Sequence, residues 1–446
     1  MPTTHHLRNC GTLLLGLALL TAAHAQSVPS TVLHCPNLID AANGKLLGAT
    51  TVVIEGDRIK EVVPGSASRP GATVIELPGE TCMPGLIDMH VHITLEYTPT
   101  FFMDEFTLNP SDVAIRSTVY AKRTLLAGFT TIRNLGDWNY ESVALRNQIN
   151  SGYVEGPRIF TAGQMIGTTG GHADPTNGLR HDLMGDRGPA QSIINGSDDA
   201  WKAVRQHYKE GADVIKIMTS GGVLDLGASA DNSQMTQEEI NAIVAAAKDY
   251  GFTVAVHAHG AEGIRRAVIG GVDSIEHGTF MDDQDMQLMK EHGTFLVPTL
   301  YTGQYVAERA RIPGAYAPQV AAKALMVGPQ LIKTVGNAYK AGVKLAYGTD
   351  EGVYPHGQNW RDFPLLIQAG VPPIYAIQMA TVNAAQLLKR TNDLGSIAPG
   401  KYADVVAVPG NPLNDINLMS KVNFVMKGGT IYKQDGKELV VTSTAK

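Results

Sequence analysis

Cysteine is nearly absent from this chain of 446 residues: three occur, at positions 10, 35 and 82. None forms a Cys-x-x-Cys pair or stands near the later histidine pairs, which leaves thiolate metal sites and a cysteine nucleophile without support. Charged residues are also few, at 17%, and aromatics fewer, at 6%, against 44% hydrophobic. That balance, spread evenly along the chain, excludes a disordered or fibrous protein. The 36 basic and 42 acidic side chains contain no Lys/Arg block able to track phosphates, so nucleic acid is not an expected partner. Past residue 25 no apolar run approaches the roughly 20 residues that cross a bilayer. No Gly-x-Gly-x-x-Gly or phosphate loop opens any unit, which argues against a doubly wound nucleotide-binding sheet.

What is abundant is glycine, 47 residues, and histidine, 14. Three of the histidines fall in the first segment. Residues 1–25 read as a secretory leader: Arg8 with no acid, then a small and apolar run from Gly11 to Thr21, then Ala23-His24-Ala25 before Gln26. Cleavage near Ala25 implies an exported protein, periplasmic or secreted. It leaves Cys35 and Cys82, for which a disulfide and a pair of buried free thiols are both open.

The rest divides by pattern. Residues 26–84 carry short β-rich runs at 31–35, 51–55, 58–63 and 73–77, separated by Ala42-Asn43-Gly44, Gly56-Asp57 and Pro70-Gly71. Residues 393–446 have the same character, which predicts a small β-sandwich assembled from both chain ends. Over 85–392, eight short runs alternate with helical stretches at 111–127, 198–211, 237–250 and 319–341. The runs lie at 85–90, 130–135, 158–162, 213–218, 253–257, 273–277, 294–298 and 344–350. The fold class expected is α/β, a (β/α)8 TIM barrel with the sandwich appended.

Barrel enzymes place their chemistry at the C-terminal ends of the strands. The first run ends in His90-Val91-His92, where residues i and i+2 face the same way. The fourth carries Lys216 within an apolar stretch, where an unpaired ammonium is costly. The fifth ends in His257-Ala258-His259, the sixth in His277 and the eighth in Asp350. One histidine at a strand end is ordinarily a packed residue, but His90, His92, Lys216, His257, His277 and Asp350, six groups on five strands, point to a metal centre.

These residues, with Met83-Pro84-Gly85-Leu86-Ile87-Asp88-Met89 before His90, Gly348-Thr349 before Asp350, and the tail from Leu394 to Asp404, resemble the amidohydrolase superfamily. Within it the pattern is most similar to the imidazolonepropionase-like and Xaa-Pro, Xaa-Arg and Xaa-Lys dipeptidase branch. The resemblance implies two divalent ions. His90, His92 and Asp350 would bind one, His257 and His277 the other, and Lys216, N6-carboxylated, would bridge them. Zinc suits this nitrogen and oxygen donor set, with manganese or cobalt also compatible. Asp350 is the implied general base and then acid, with Lys216 and His259 as further catalytic groups.

The implied reaction is cleavage of an amide in a carboxylate-bearing, peptide-like small molecule. Ochratoxin A (giving ochratoxin α and phenylalanine), N-acyl amino acids and dipeptides all qualify. Substrate contacts are expected at His172, His259, Ser220, Gly221 and Arg361, the last as a carboxylate clamp, with Tyr354, His356 and Trp360 over the pocket. A mononuclear deaminase or cyclic-amide hydrolase would use the same histidines and leave Lys216 a free amine. A non-catalytic binding protein on the same scaffold would normally lack ligands, and none of the six is missing. Homo-oligomerisation is left open.

Overall fold

The computed structural model describes residues 30–98, 100–227 and 229–441; the leader expected over 1–25 lies outside them. The two chain ends pair as the β-rich patterns predict. Strand Val405–Pro409 runs antiparallel to Glu80–Pro84, with Ala407 opposite Cys82 and Val405 opposite Pro84. Around that pair a seven-stranded sheet forms, drawing on 37–47 and 80–84 from the N-terminal side and 405–438 from the C-terminal side. A second sheet of four strands, in the order Arg58–Pro64, Thr50–Glu55, Ser30–Cys35 and Thr73–Glu76, faces it. Leu33, Val52, Ile54 and Ile59 of the small sheet pack with Cys82, Val405, Phe424 and Met426 of the large one. Alternating inward side chains of this kind bury one face of each strand. Cys35 and Cys82, one on each sheet, form a disulfide, which settles the choice between a bridge and free thiols.

Between the chain ends, parallel strands alternate with helices. Leu86–Val91, Phe129–Asn134 and Arg158–Thr161 form one parallel sheet, and Ile215–Met218, Val254–Ala258, Ser274–His277 and Phe295–Val297 another. Nearly every residue of these strands is buried, as expected for strands covered on both faces. Main-chain bonds link the two sheets at one side, from Asp213 N to Thr161 O (2.7 Å) and Met218 N to Ile166 O (3.1 Å). On the other side the segment 344–350 bridges them: Leu296 N donates to Lys344 O, and Met89 N to Tyr347 O. This segment, expected as the eighth strand, makes a single bridge, Leu296 to Leu345, and no regular ladder. The physical reason is local. Gly348 lies against Val297 and His90 with no room for a Cβ, and Asp350 turns into the left-handed region at φ 59°.

The helices follow their end signals. Gln237–Asp249 starts with a capping box in which Thr236 and Glu239 satisfy each other's backbone N–H. Ser197–Glu210 and Pro318–Ala341 end on Gly211 and Gly342 at φ 86° and 83°, a conformation that costs other residues about 1 kcal/mol or more. Each glycine returns the chain directly toward a strand or strand-like segment, which accounts for part of the glycine surplus. Among the described residues, no helix is long and apolar enough to cross a membrane.

Candidate active site

The C-terminal ends of the parallel strands converge as the strand-end pattern requires. Strand Leu86–Val91 delivers His90 and, one residue beyond its end, His92. Their Nε2 atoms lie 3.4 and 3.3 Å from Asp350 Oδ1. Lys216 Nζ, from the strand Ile215–Met218, is 3.4 Å from His90 Nε2. His257, His259 and His277 offer nitrogen atoms within 4.8 Å of one another, and His90, His277 and Asp350 do the same. The imidazoles touch in a chain, with ring centroids 5.1 Å apart for His90 and His277 and 4.8 Å for His257 and His277.

Each of the five histidines has one ring nitrogen occupied by the surrounding protein. His90 Nδ1 bonds Glu276 Oε2 at 3.0 Å, and His92 Nδ1 bonds Gly136 O at 3.1 Å. His277 Nδ1 meets Thr299 Oγ1 and His259 Nδ1 meets Thr279 Oγ1, both at 2.7 Å. His257 is turned the other way, with Nε2 on Gly221 O at 2.9 Å. The outer partner leaves Nε2 of four rings and Nδ1 of His257 for the centre, the arrangement by which outer groups orient metal-binding imidazoles. His277, Thr299 and Asp350, at φ 68°, 51° and 59°, are three of the few non-glycine residues with left-handed backbone. Such conformations persist where the surroundings over-determine them, commonly at active sites.

Burial sets the charge states. It pushes the pKa of His90, His257 and His277 well below 6.5, helped by the neighbouring cations, and that of His259 to about 3. The rings are therefore neutral, the ligand form. Burial lowers the Lys216 ammonium to about 8 against the pull of Glu276 and Asp350. For Asp350, burial opposes ionisation, but His90, His92 and Lys216 outweigh it and hold the carboxyl below its ordinary range. Together with His92, these nitrogen and oxygen donors form a set of seven that fits divalent cations.

The residues behind this cluster went unnoticed in the sequence. Glu276 carries the His90 bond on one oxygen and Arg133 on the other, Arg133 Nη2 donating at 2.8 Å while its Nε donates to Met89 O at 2.7 Å. Both side chains are essentially inaccessible. Their signal was weaker than that of Lys216: Arg133 and Glu276 stand in the mixed runs Phe129–Asn134 and Ser274–His277, whereas Lys216 is flanked by Ile215, Ile217 and Met218. Asp88, with its pKa raised by burial to about 7, receives Thr349 Oγ1, Asn359 Nδ2 and the backbone N–H of His90 and Thr349.

A cavity of about 420 Å³ opens over the cluster, walled mainly by apolar side chains such as Leu95, Trp138, Met165, Leu224, Val306 and Leu331. His172 and His259 line it, as do all six expected metal-site residues. His172 Nδ1 lies 2.6 Å from Asp225 Oδ2, and its ring is 4.5 Å from that of His257. Ser220 and Gly221, expected as substrate contacts, sit behind the histidines instead: Ser220 Oγ receives the His259 N–H, and Gly221 O holds His257. Arg361, the expected carboxylate clamp, stacks on Tyr301 and Trp360, bonds Gln358, and is not part of the cavity wall. Tyr354 packs edge-on to Tyr301, and His356 is tied to Glu351 and to the Leu95 carbonyl, so neither covers the opening.

An amidohydrolase family model matches residues 81–432, and the chain belongs to that family. A solved structure of a Xaa-Pro dipeptidase with bound methionine is 46% identical, with a TM-score of 0.88 over 91% of this chain and 100% of that one. A prolidase complexed with N-methylphosphonate-L-proline is 34% identical, with a TM-score of 0.82 over 91% of this chain and 100% of that one. The ochratoxinase of Aspergillus niger is 28% identical over 442 residues, covering 94% of this chain and 89% of that protein. The chain is thus a hydrolase acting on amide or peptide bonds.

Proposed function

We propose that this hydrolase cleaves the amide bond of a carboxylate-bearing, peptide-like substrate with two divalent ions, most simply zinc, bound at the strand ends. His90, His92 and Asp350 would hold one ion and His257 and His277 the other, with N6-carboxylated Lys216 between them. The observation that carries this reading is the convergence of these donors with each histidine's other nitrogen already engaged. Carboxylation would turn a costly buried cation into an anion able to neutralise bound metal charge, and burial favours the neutral amine that takes up carbon dioxide. When bound, the ions would polarise the scissile carbonyl and bring the pKa of a water toward about 7.

The chain's own groups then supply orientation and proton traffic. Asp350, ionised at neutral pH, takes the proton of the attacking water and returns it to the departing nitrogen, acting as general base and then acid. His259 and His172, on the cavity wall, hydrogen-bond the scissile carbonyl or the substrate carboxylate. The apolar wall excludes water and accepts an aromatic or aliphatic acyl or amine part. The names of an ochratoxinase and a Xaa-Pro dipeptidase among the relatives bring ochratoxin A and Xaa-Pro dipeptides into the candidate class, and N-acyl amino acids share their carboxylate-bearing amide.

The hydrogen-bonded links on both sides of the two parallel sheets support their closure into a (β/α)8 barrel spanning 85–392. The mixed origin of the seven-stranded sheet supports a sandwich domain made of 26–84 and 393–446. The apolar run before Ala25 supports export after leader removal.

The test is to measure metal content per chain and to incubate the metal-loaded protein with ochratoxin A, N-acetyl-L-phenylalanine and L-alanyl-L-proline, following products by mass. Two metals and cleavage of at least one probe are expected. One metal, unaffected by Lys216→Ala, would favour the mononuclear alternative, and cleavage of none would remove the proposed substrate class.

A further inference from the structure

Lys323 is a lysine on the helix Pro318–Ala341, yet it is only 4% exposed. Surface helices ordinarily let lysine snorkel to water, and a buried ammonium without partners is expensive. Here all three donors are used, and all go to one loop: Asp225 Oδ1 at 2.7 Å, Gly227 O at 2.8 Å and Asp225 O at 3.0 Å. That loop is the cavity wall, since Val223, Leu224, Asp225 and Leu226 all line it.

The same Asp225 carboxylate closes a second set of contacts. Its Oδ2 accepts from His172 Nδ1 at 2.6 Å and from Gly222 N at 3.2 Å, and its Oδ1 also accepts from Gly227 N at 2.8 Å. An ionised carboxylate can only accept, so Nδ1 of His172 carries the hydrogen. Nε2 is then left without a hydrogen-bond partner among the described residues, on a ring that lines the cavity beside His257. Nothing larger than glycine fits at 222, where an added Cβ would come within 2.0–2.3 Å of the His172 ring. His172, Asp225 and Lys323 come from three separate segments, after the third and fourth expected strands and from the helix 318–341, and meet only in the folded molecule.

We propose that Lys323 and Asp225 are positioning residues for the substrate: Lys323 clamps 222–227 as the cavity wall, and Asp225 fixes the His172 ring so that Nε2 faces the bound amide. The substrate contact of His172 rests on the function proposed above; the clamp itself does not. It needs no metal and no turnover to be observed.

The experiment therefore has two arms on the full chain. In the first, hydrogen–deuterium exchange is compared for wild type and Lys323→Met, and 15N-histidine NMR reports the His172 tautomer in wild type and Asp225→Asn. Exchange at 222–227 should quicken by roughly tenfold in Lys323→Met while protection elsewhere holds, and the Nδ1–H tautomer should be lost in Asp225→Asn. Unchanged protection and an unchanged tautomer would overturn the clamp. If Lys323→Met does not fold, Lys323→Gln supplies the exchange readout, while Asp225→Asn, whose amide oxygen can still accept from Lys323 and whose NH2 then faces His172, supplies the tautomer readout.

In the second arm, kinetics use N-acetyl-L-phenylalanine and L-alanyl-L-proline. Lys323→Met should raise KM by roughly tenfold with kcat within about threefold, and adding His172→Ala should change little further, because the two act as one unit. Fully multiplicative effects, or a loss confined to kcat, would overturn the positioning role. If wild type cleaves neither of these probes nor ochratoxin A, the proposed function fails while the first arm still decides the clamp.

Discussion

The interiors of the two-ended sandwich and of the parallel-strand region obey opposite rules. Between the sandwich sheets lie Leu33, Val52, Ile54, Ile59, Phe424 and Met426, with the Cys35–Cys82 disulfide among them. Beneath the candidate site lie Arg133, Glu276, Asp88, Lys216, His90, His257, His259 and His277, all almost fully buried. The first interior is held by apolar burial, which tolerates exchange of one hydrophobe for another of similar size. The second is held by hydrogen bonds that must all be made, because a buried polar group deprived of its partner loses more than the bond was worth. One region supplies stability; the other gives up some of it to hold groups in place for chemistry.

The largest expected effect that would break this contrast is at Asp350. Asp350→Asn, assayed at saturating metal because Asp350 is also a proposed ligand, should lower kcat by about 10³-fold while thermal unfolding changes little. Near-normal turnover would show that the proton route runs elsewhere. Next is the buried pair. Glu276→Gln leaves the Arg133 charge uncompensated and should cost about 3–5 kcal/mol by chemical denaturation. It should also weaken metal binding by about 10- to 100-fold, since His90 loses its orienting partner. If Glu276→Gln were no more disruptive than a surface change, the polar interior would not be the tightly specified one described.

The sandwich should answer differently. Cys35→Ser with Cys82→Ser opens a link between residues 47 apart in sequence. It should lower stability by roughly 2–4 kcal/mol and leave kcat/KM of the folded protein unchanged, as an activity assay on the soluble fraction will tell. The smallest effect is at His34. Its bonds to the Ala67 carbonyl and to Glu76 raise its pKa above 6.5. The stabilisation is complete below the unfolded value and is lost as pH rises through the folded one. The difference in Tm between wild type and His34→Gln should therefore shrink between about pH 6 and about pH 8.

How far the molecule could be read from its sequence follows the range of the interaction involved. His90 and His92, two residues apart at a strand end, and Lys216, a charge in an apolar run, carry their signal locally, and the cavity lies over all of them. Arg133 and Glu276 lie in strands of mixed composition and become intelligible only as a pair, 143 residues apart. Ser220 and Gly221 are at the site, yet whether a loop faces the cavity or the histidines' backs depends on backbone turns that composition does not encode. Arg361 has the right chemistry for a carboxylate, but stacking on Tyr301 and Trp360 takes it away from the cavity. The segment 344–350 has strand-like composition and departs from the ladder because Asp350 adopts a left-handed turn.

Hydrophobic periodicity, glycine and capping signals, and the placement of histidines at strand ends were enough to indicate the α/β alternation and to single out the candidate donors, because each depends on neighbours within a few residues. Which nitrogen of each imidazole turns inward, that Cys35 meets Cys82, and that Lys323 reaches across 98 residues to Asp225 were decided only by the folded chain. These are hydrogen bonds and contacts of a few ångströms between distant segments, and their geometry exists only once the strands and helices have packed.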